Sequence, residues 1–152
     1  MSLEIERKFI VNSDLYESMS TSRHHIEQYY LSTDKSRTVR VRIIDDRHAY
    51  LTIKGVNIGV TRQEWEYEIP VDDAREMIGL CEGKGLSKWR YIVPWEGHTW
   101  EVDVFEDRLM GLVVAEVEIG AENEDVVLPP FVGEEVSGDK RYYNSVLSGI
   151  DS

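Results

Sequence analysis

The sequence predicts a mainly β (α+β) protein of one domain spanning residues 1–152: a closed eight-stranded antiparallel β-barrel with a charged lumen and helices packed on the outside. Three observations carry that expectation. Charged and apolar residues alternate at the strand period of two in run after run, so each strand has one charged and one apolar face. The apolar face recurs on every strand and needs cover, which the helices supply in part. Eight antiparallel strands can close on themselves, which removes the sheet's edges and turns the charged face inward.

Taken in order, the first strand is Glu4 to Val11, with Glu4, Glu6 and Lys8 on one face and Ile5, Arg7 and Phe9 on the other. Its two carboxylates lie about 7 Å apart along the strand, close enough to share a hard divalent cation, and the ammonium beside them suits an anion. Asn12-Ser13-Asp14 breaks the strand, and Asp14 to Ser20 forms a short helix. Strands follow at His24–Leu31 and Thr38–Ile43, the latter presenting Arg40 and Arg42 together. A tight turn at Asp45–His48 returns the chain into Ala49–Lys54, where Thr52 and Lys54 oppose Leu51 and Ile53. After a loop with two glycines, Thr61–Ile69 sets Arg62, Glu64, Glu66 and Glu68 against Trp65, Tyr67 and Ile69. Asp72 or Asp73 caps a helix from Ala74 to Cys81. Leu86–Val93 carries Lys88 and Arg90, and Pro94–Gly97 turns it. Thr99–Glu106 carries Glu101 and Asp103, and Leu112–Ile119 ends in Glu116 and Glu118. A last helix runs to Leu147, capped by Ser137 or Asp139.

Composition limits the functions open to such a barrel. At 152 residues and 41% apolar content the chain can bury its own core. A formal charge of -12 repels nucleic acid and anionic membrane surfaces at long range, so an anionic ligand must meet a local positive site. The single cysteine, Cys81, excludes an internal disulfide and reads as core. No run has the length of a membrane span or the form of a signal segment, so the expected home is the cytoplasm, and a homodimer stays open.

The charged faces together collect seven cations, Lys8, Arg40, Arg42, Lys54, Arg62, Lys88 and Arg90, and nine acids, Glu4, Glu6, Glu64, Glu66, Glu68, Glu101, Asp103, Glu116 and Glu118. The arginine bias favours bidentate oxyanion binding. Unpaired charges in a dry interior would each cost several kcal/mol, so this lumen must be wet, cross-paired and completed by ligand and metal. Polyphosphate with Mg2+ is the ligand that needs acids and cations at once. An all-carboxylate donor set suits Mg2+ or Mn2+ rather than zinc, and His24 and His25, on opposite faces, do not make a shared metal site.

Glu4-Ile5-Glu6-Arg7-Lys8-Phe9, then Arg40-Val41-Arg42, Leu51-Thr52-Ile53-Lys54, Arg62-Gln63-Glu64-Trp65-Glu66, Lys88-Trp89-Arg90-Tyr91, Glu101 to Phe105 and Glu116-Val117-Glu118, in that order, closely resemble the CYTH or triphosphate tunnel metalloenzyme family. The resemblance implies an eight-stranded tunnel and divalent-metal-dependent hydrolysis of a triphosphate, nearest to the small bacterial members that act on inorganic triphosphate and release pyrophosphate and phosphate. Gln28-Tyr29-Tyr30-Leu31 departs at Tyr29, where those members often have glycine, while Tyr30 should face the lumen. Carried over, Glu4, Glu6, Glu116, Glu118 and Asp103 are the metal set, and Lys8, Arg40, Arg42, Lys54, Arg62, Lys88 and Arg90 grip phosphate. Glu64, Glu66, Lys8 and Tyr30 are the candidates for proton handling. The resemblance leaves open a thiamine triphosphate or cyclase activity within the family, and the residues alone also allow a non-catalytic polyphosphate binder.

Overall fold

The computed structural model describes residues 2–149; residues 1 and 150–152, at the ends of the expected 1–152 domain, lie outside the described residues. Its elements are β1 (Ser2–Val11), α1 (Leu15–Met19), β2 (Ser22–Ser32), β3 (Arg37–Ile44), β4 (His48–Gly55), β5 (Thr61–Ile69), α2 (Val71–Met77), β6 (Glu82–Trp95), β7 (His98–Phe105), β8 (Val113–Glu118), β9 (Val132–Glu135) and α3 (Asn144–Leu147). Every strand pairing is antiparallel, in the order β5-β4-β3-β2-β6-β7-β8-β1. The barrel closes where Ser2 to Ile5 pair with Glu64 to Thr61. Beyond that seam the same edge of β1 takes up β9, with Phe9 opposite Glu135 and Val11 opposite Val132.

Local chemistry sets the corners. Asp45 and Asp46, at φ 52° and 55°, take the left-handed positions of the three-residue turn Asp45–Arg47 between β3 and β4, across which Ile44 pairs with His48. Glu96 and Gly97, also left-handed, form a two-residue turn between β6 and β7, where Trp95 pairs with His98. The alternation then fixes the facing. Phe9, Trp100, Val102, Ala115 and Val117 point outward and are covered by Tyr16 of α1 and by Phe131. Val41, Ile43 and Ala49 are covered by Ala74 of α2. A third cluster, Leu86, Phe105 and Val114 with Ile10, lies at lumen-facing register positions and is capped by Leu147 of α3. The lumen is therefore polar along most of its length and apolar at one end.

Several boundaries differ from the sequence-based expectation. β9 has no counterpart among the elements expected from the sequence; it forms because β5 leaves the second half of β1 unpaired on that edge. α2 begins at Val71, directly after the extended Pro70, so Asp72 and Asp73 sit in its first turn instead of capping it, where their charge meets the helix dipole. It tightens into a 3-10 turn at Ile78–Leu80, and Cys81 follows it half-buried. β6 runs past the expected turn through Pro94, which pairs with Thr99, and starts earlier at Glu82. The last helix is two short pieces, a 3-10 turn at Lys140–Tyr142 capped by Asp139, and α3. Among the described residues no helix is long and apolar enough to cross a membrane.

Gly85 at φ 69° marks the irregularity between β2 and β6. A Cβ there would stand 2.4 Å from the Tyr29 ring and 2.7 Å from the Gln28 carbonyl oxygen. Tyr29 thus fills the space that Gly85 leaves. Gly85→Ala is expected to lower stability by at least about 1–2 kcal/mol from the left-handed backbone alone, read as a fall in Tm, and an unchanged Tm would show that β2 and β6 can shift apart.

Candidate active site

The strand order sorts the lumenal charges in a way the linear sequence does not display. Glu64 and Glu66 on β5, Glu4 and Glu6 on β1, Glu116 and Glu118 on β8, and Glu101 and Asp103 on β7 occupy four contiguous strands. Lys54 on β4, Arg40 and Arg42 on β3, and Lys88 and Arg90 on β6, with β2 between, occupy the other four. An acidic arc faces a basic one. Lys8 and Arg62 are the exceptions, cations set on the acidic strands.

Two connected cavities occupy the lumen. The larger, about 280 Å³, is lined by Glu4, Glu6, Glu64, Glu66, Glu101, Glu116 and Glu118 on one side and Arg40, Arg42, Lys54 and Arg90 on the other. The smaller, about 70 Å³, adds Lys8, Tyr30, Thr38 and Arg62 and is bordered by Val136–Gly138 and Tyr143–Ser145 of the C-terminal segment. Glu6, Arg40, Lys54 and Asn144 line both. Tyr30, 2% exposed, faces this space as its strand parity requires.

The cations are held in defined poses. Arg90 forks onto Asp103, with Nε and Nη2 at 2.8 and 2.9 Å, and turns Nη1 to Glu101 at 3.1 Å. Lys54 reaches Glu4 at 2.7 Å, and Lys8 lies 3.3 Å from Glu116 while donating to the Tyr142 carbonyl. Arg40 donates from Nη2 to the Thr52 hydroxyl, which in turn donates to Glu66, and its Nε is a buried donor without a partner. A buried donor without a partner carries a desolvation cost. Arg62 donates to the Gly55 carbonyl and the Thr38 hydroxyl, and Arg42 donates twice to the Gln28 side chain. Burial, then the neighbouring Arg40 and Arg90, bring Arg42 down to about 10.

The acids show the strain of crowding. Burial and Glu4 push Glu64 up to about 7, while Glu4 itself, despite burial, is held down to about 2 by Lys54 and by its hydrogen bond with Glu64. Deeper in, burial followed by Glu116 and Glu4 raises Glu6, whereas Glu116 is held well below the carboxylate range against its burial by Lys8, Arg90 and Lys88. Burial and Glu4 also raise Glu118. In each of the pairs Glu4–Glu64 and Glu6–Glu116 one carboxyl is raised and the other lowered, as expected where like charges crowd each other. Among the described residues, no three acids already converge on one point.

Lys88 and Asp103 stand apart from the other candidates. Both are wholly buried, Lys88 lies 2.6 Å from Asp103 and 3.2 Å from the Asn144 side chain, and neither lines the two cavities. Both Asp103 oxygens are taken by Arg90 and Lys88. Sequence reasoning passed over Gln28, Thr38, Thr52 and Asn144. The first three share strand parity with Tyr30, Arg40 and Lys54, which is a signal that could have found them; Asn144 arrives from the C-terminal segment and has no such signal.

Fold and site together define a closed barrel whose lumen is built to receive a polyanion. The CYTH domain family matches residues 2–145, and the chain belongs to it. It is 47% identical over 148 residues to an inorganic triphosphatase of Acetivibrio thermocellus, covering 97% of this chain and 94% of that protein. It is 34% identical over 150 residues to an inorganic triphosphatase of Nitrosomonas europaea, covering 95% and 96%. A solved inorganic triphosphatase structure superposes with a TM-score of 0.68 at 32% identity, covering 97% of this chain and 95% of that one. A Pyrococcus horikoshii protein at 21% identity and TM-score 0.61, covering 79% and 80%, shares the fold.

Asp103→Ala leaves Arg90 and Lys88 without their buried counter-ion and is expected to cost about 3–5 kcal/mol in denaturant unfolding. Arg7, on the outer face, forms a bidentate pair with Glu135 of β9 in partial solvent, and Arg7→Ala should cost under about 1 kcal/mol. Equal losses in the two variants would place the Asp103 pair in water.

Proposed function

We infer that this protein hydrolyses inorganic triphosphate to pyrophosphate and phosphate inside the barrel, with a divalent cation held by its carboxylates. The observation that carries the reading is the opposition of an acidic and a basic arc across one lumen. A polyphosphate alone would be repelled by the first, and a cation alone by the second. Relatives named inorganic triphosphatase at 47% and 34% identity support the same substrate.

Glu4, Glu6, Glu116 and Glu118, with Glu64 and Glu66 beside them, would hold the cation; an all-oxygen set of this charge fits Mg2+ or Mn2+. When bound, such an ion neutralises phosphate oxygens and so lowers the cost of bringing a nucleophile to phosphorus. We assign Asp103 a different part from the metal role that the family resemblance implied: it fixes Arg90 and Lys88. Lys88 braces the floor with Asn144, and Arg40, Arg42, Lys54, Arg62 and Arg90 grip the phosphate chain.

The residues then divide the work of one in-line displacement. A water oxygen forms a bond to the terminal phosphorus as the bond to the bridging oxygen breaks, and pyrophosphate leaves with the bonding pair. A lumenal carboxylate of β5, Glu64 or Glu66, both of which line the larger cavity, would take the proton of that water. The guanidiniums, fixed before substrate arrives, stabilise charge as it spreads over the phosphate oxygens. Lys8, held between Glu116 and the Tyr142 carbonyl, places an ammonium where the smaller cavity begins.

Phosphate release across inorganic triphosphate, pyrophosphate and ATP tests the reading. Triphosphate is expected to lead ATP by at least about tenfold in kcat/KM, a difference of roughly 1.4 kcal/mol, with pyrophosphate poor and no cyclic AMP formed. Turnover undiminished in excess EDTA, or a preference for ATP, would sink it. Metal affinity should also depend on pH. Glu64 sits above its usual range in the metal-free lumen, as do Glu6 and Glu118, and binding needs the carboxylates, so affinity falls as pH drops through about 7. Calorimetric titration with Mg2+ at about pH 6 and about pH 8 checks the sign.

A further inference from the structure

Of the cations lining the lumen, most have a carboxylate partner. Arg40 meets Glu66, Arg90 meets Asp103 and Glu101, Lys54 meets Glu4 and Lys8 meets Glu116. Arg42 is held instead by a neutral group. Its Nε and Nη2 donate to Gln28 Oε1 at 3.0 and 2.8 Å, and among the described residues no carboxylate lies within ion-pair distance. Gln28 is 0% exposed, on the same lumenal face of β2 as Tyr30. Its amide nitrogen donates to the Tyr30 hydroxyl at 3.1 Å.

The direction of this chain follows from donor chemistry. A guanidinium has only donors, so the amide must turn its oxygen to Arg42 and its nitrogen to Tyr30. The phenol oxygen is then an acceptor from Gln28, and its own proton is left for an acceptor elsewhere in the cavity that Tyr30 lines. A carboxylate at position 28 would reverse both effects. It would cancel the charge of Arg42 and accept the Tyr30 proton. Resting on the function proposed above, we propose that Gln28 is a positioning residue: it holds Arg42 in place without neutralising it, and it turns the Tyr30 hydroxyl into a hydrogen-bond donor toward the bound polyphosphate.

The test is steady-state hydrolysis of inorganic triphosphate with Mg2+, run with thermal melts, on Gln28→Glu and Gln28→Met. Gln28→Glu gains an ion pair with Arg42, so its Tm holds or rises, while KM is expected to rise at least about tenfold and kcat to fall severalfold. Gln28→Met keeps the volume and removes both hydrogen bonds; kcat falls and KM rises less than with Glu. Wild-type KM and kcat in Gln28→Glu, or losses in both variants that simply follow Tm, would overturn the role. Should Gln28→Glu not fold, the cycle of Gln28→Met with Arg42→Met decides, because a residue acting on KM through Arg42 has little left to change once Arg42 is gone. A persisting KM effect in that background overturns the proposal. Calorimetry of triphosphate binding separates the two inferences: wild-type protein that binds without turnover defeats the proposed function, whereas normal turnover with indifferent variants defeats only the role of Gln28.

Discussion

The seam between β1 and β5 is the constraint on which the rest depends. Ser2 to Ile5 pair with Glu64 to Thr61, and only that closure converts an open sheet with one charged face into a lumen. It also sets Glu4 beside Glu64 and opposite Arg62, so it gathers acids at some cost in repulsion. The fold tolerates this because closure joins the two edge strands, β9 takes up the rest of β1, and the opposite face is covered by α1, α2 and Phe131. Hydrophobic burial outside the barrel thus offsets electrostatic strain inside it. Strain stored in this way is local, and an oxygen-seeking cation is what would relieve it.

Preorganisation differs between the two arcs. The basic arc is rigid before any ligand arrives: Asp103 fixes Arg90 and Lys88, Thr52 fixes Arg40, and Gln28 fixes Arg42. In the acidic arc Glu4 is paired with Lys54 and Glu116 with Lys8, while the crowded acids shift one another's proton affinity. A site that must recognise a flexible phosphate chain benefits from fixed donors, since no reorganisation is then needed as charge develops. On the proposed function its acids need the opposite property, because they would exchange protons for metal.

Much of this was legible in the sequence because the strand period is strict. Counting in twos put Glu4, Glu6, Lys8, Arg40, Arg42, Lys54, Glu64, Glu66, Arg90, Glu101, Glu116 and Glu118 on the face that lines the cavities, and Arg7 on the outside, where it stacks 5.1 Å over Phe9 and pairs with Glu135; it did not show that Ile10, Leu86, Phe105 and Val114 make one end of the lumen apolar. What stayed hidden is what depends on strand order. β2 neighbours β6 across a long interval of chain, and that pairing is what divides acids from cations into two arcs. Parity says that Asp103 faces inward, but only the register opposite Arg90 shows both its oxygens committed to cations. β9 was invisible for a related reason: four residues carry no period worth reading, and they are a strand only because β1 outruns β5.

The closed end of the lumen explains why the charged layer above it can be so specific. Leu86, Phe105, Val114 and Leu147 form an apolar floor, and Lys88 sits at its boundary, 5.4 Å from the Phe105 ring and paired to Asp103. Charges at such a boundary are screened by solvent from one side only, so their fields reach into the cavity more strongly than they would in a lumen wet at both ends. Leu147 of the C-terminal segment completes that floor, and the same segment supplies Asn144 to Lys88 and the Tyr142 carbonyl to Lys8. Strands and C-terminal segment thus close that end of the lumen together, and the poses of Lys88 and Lys8 depend on both.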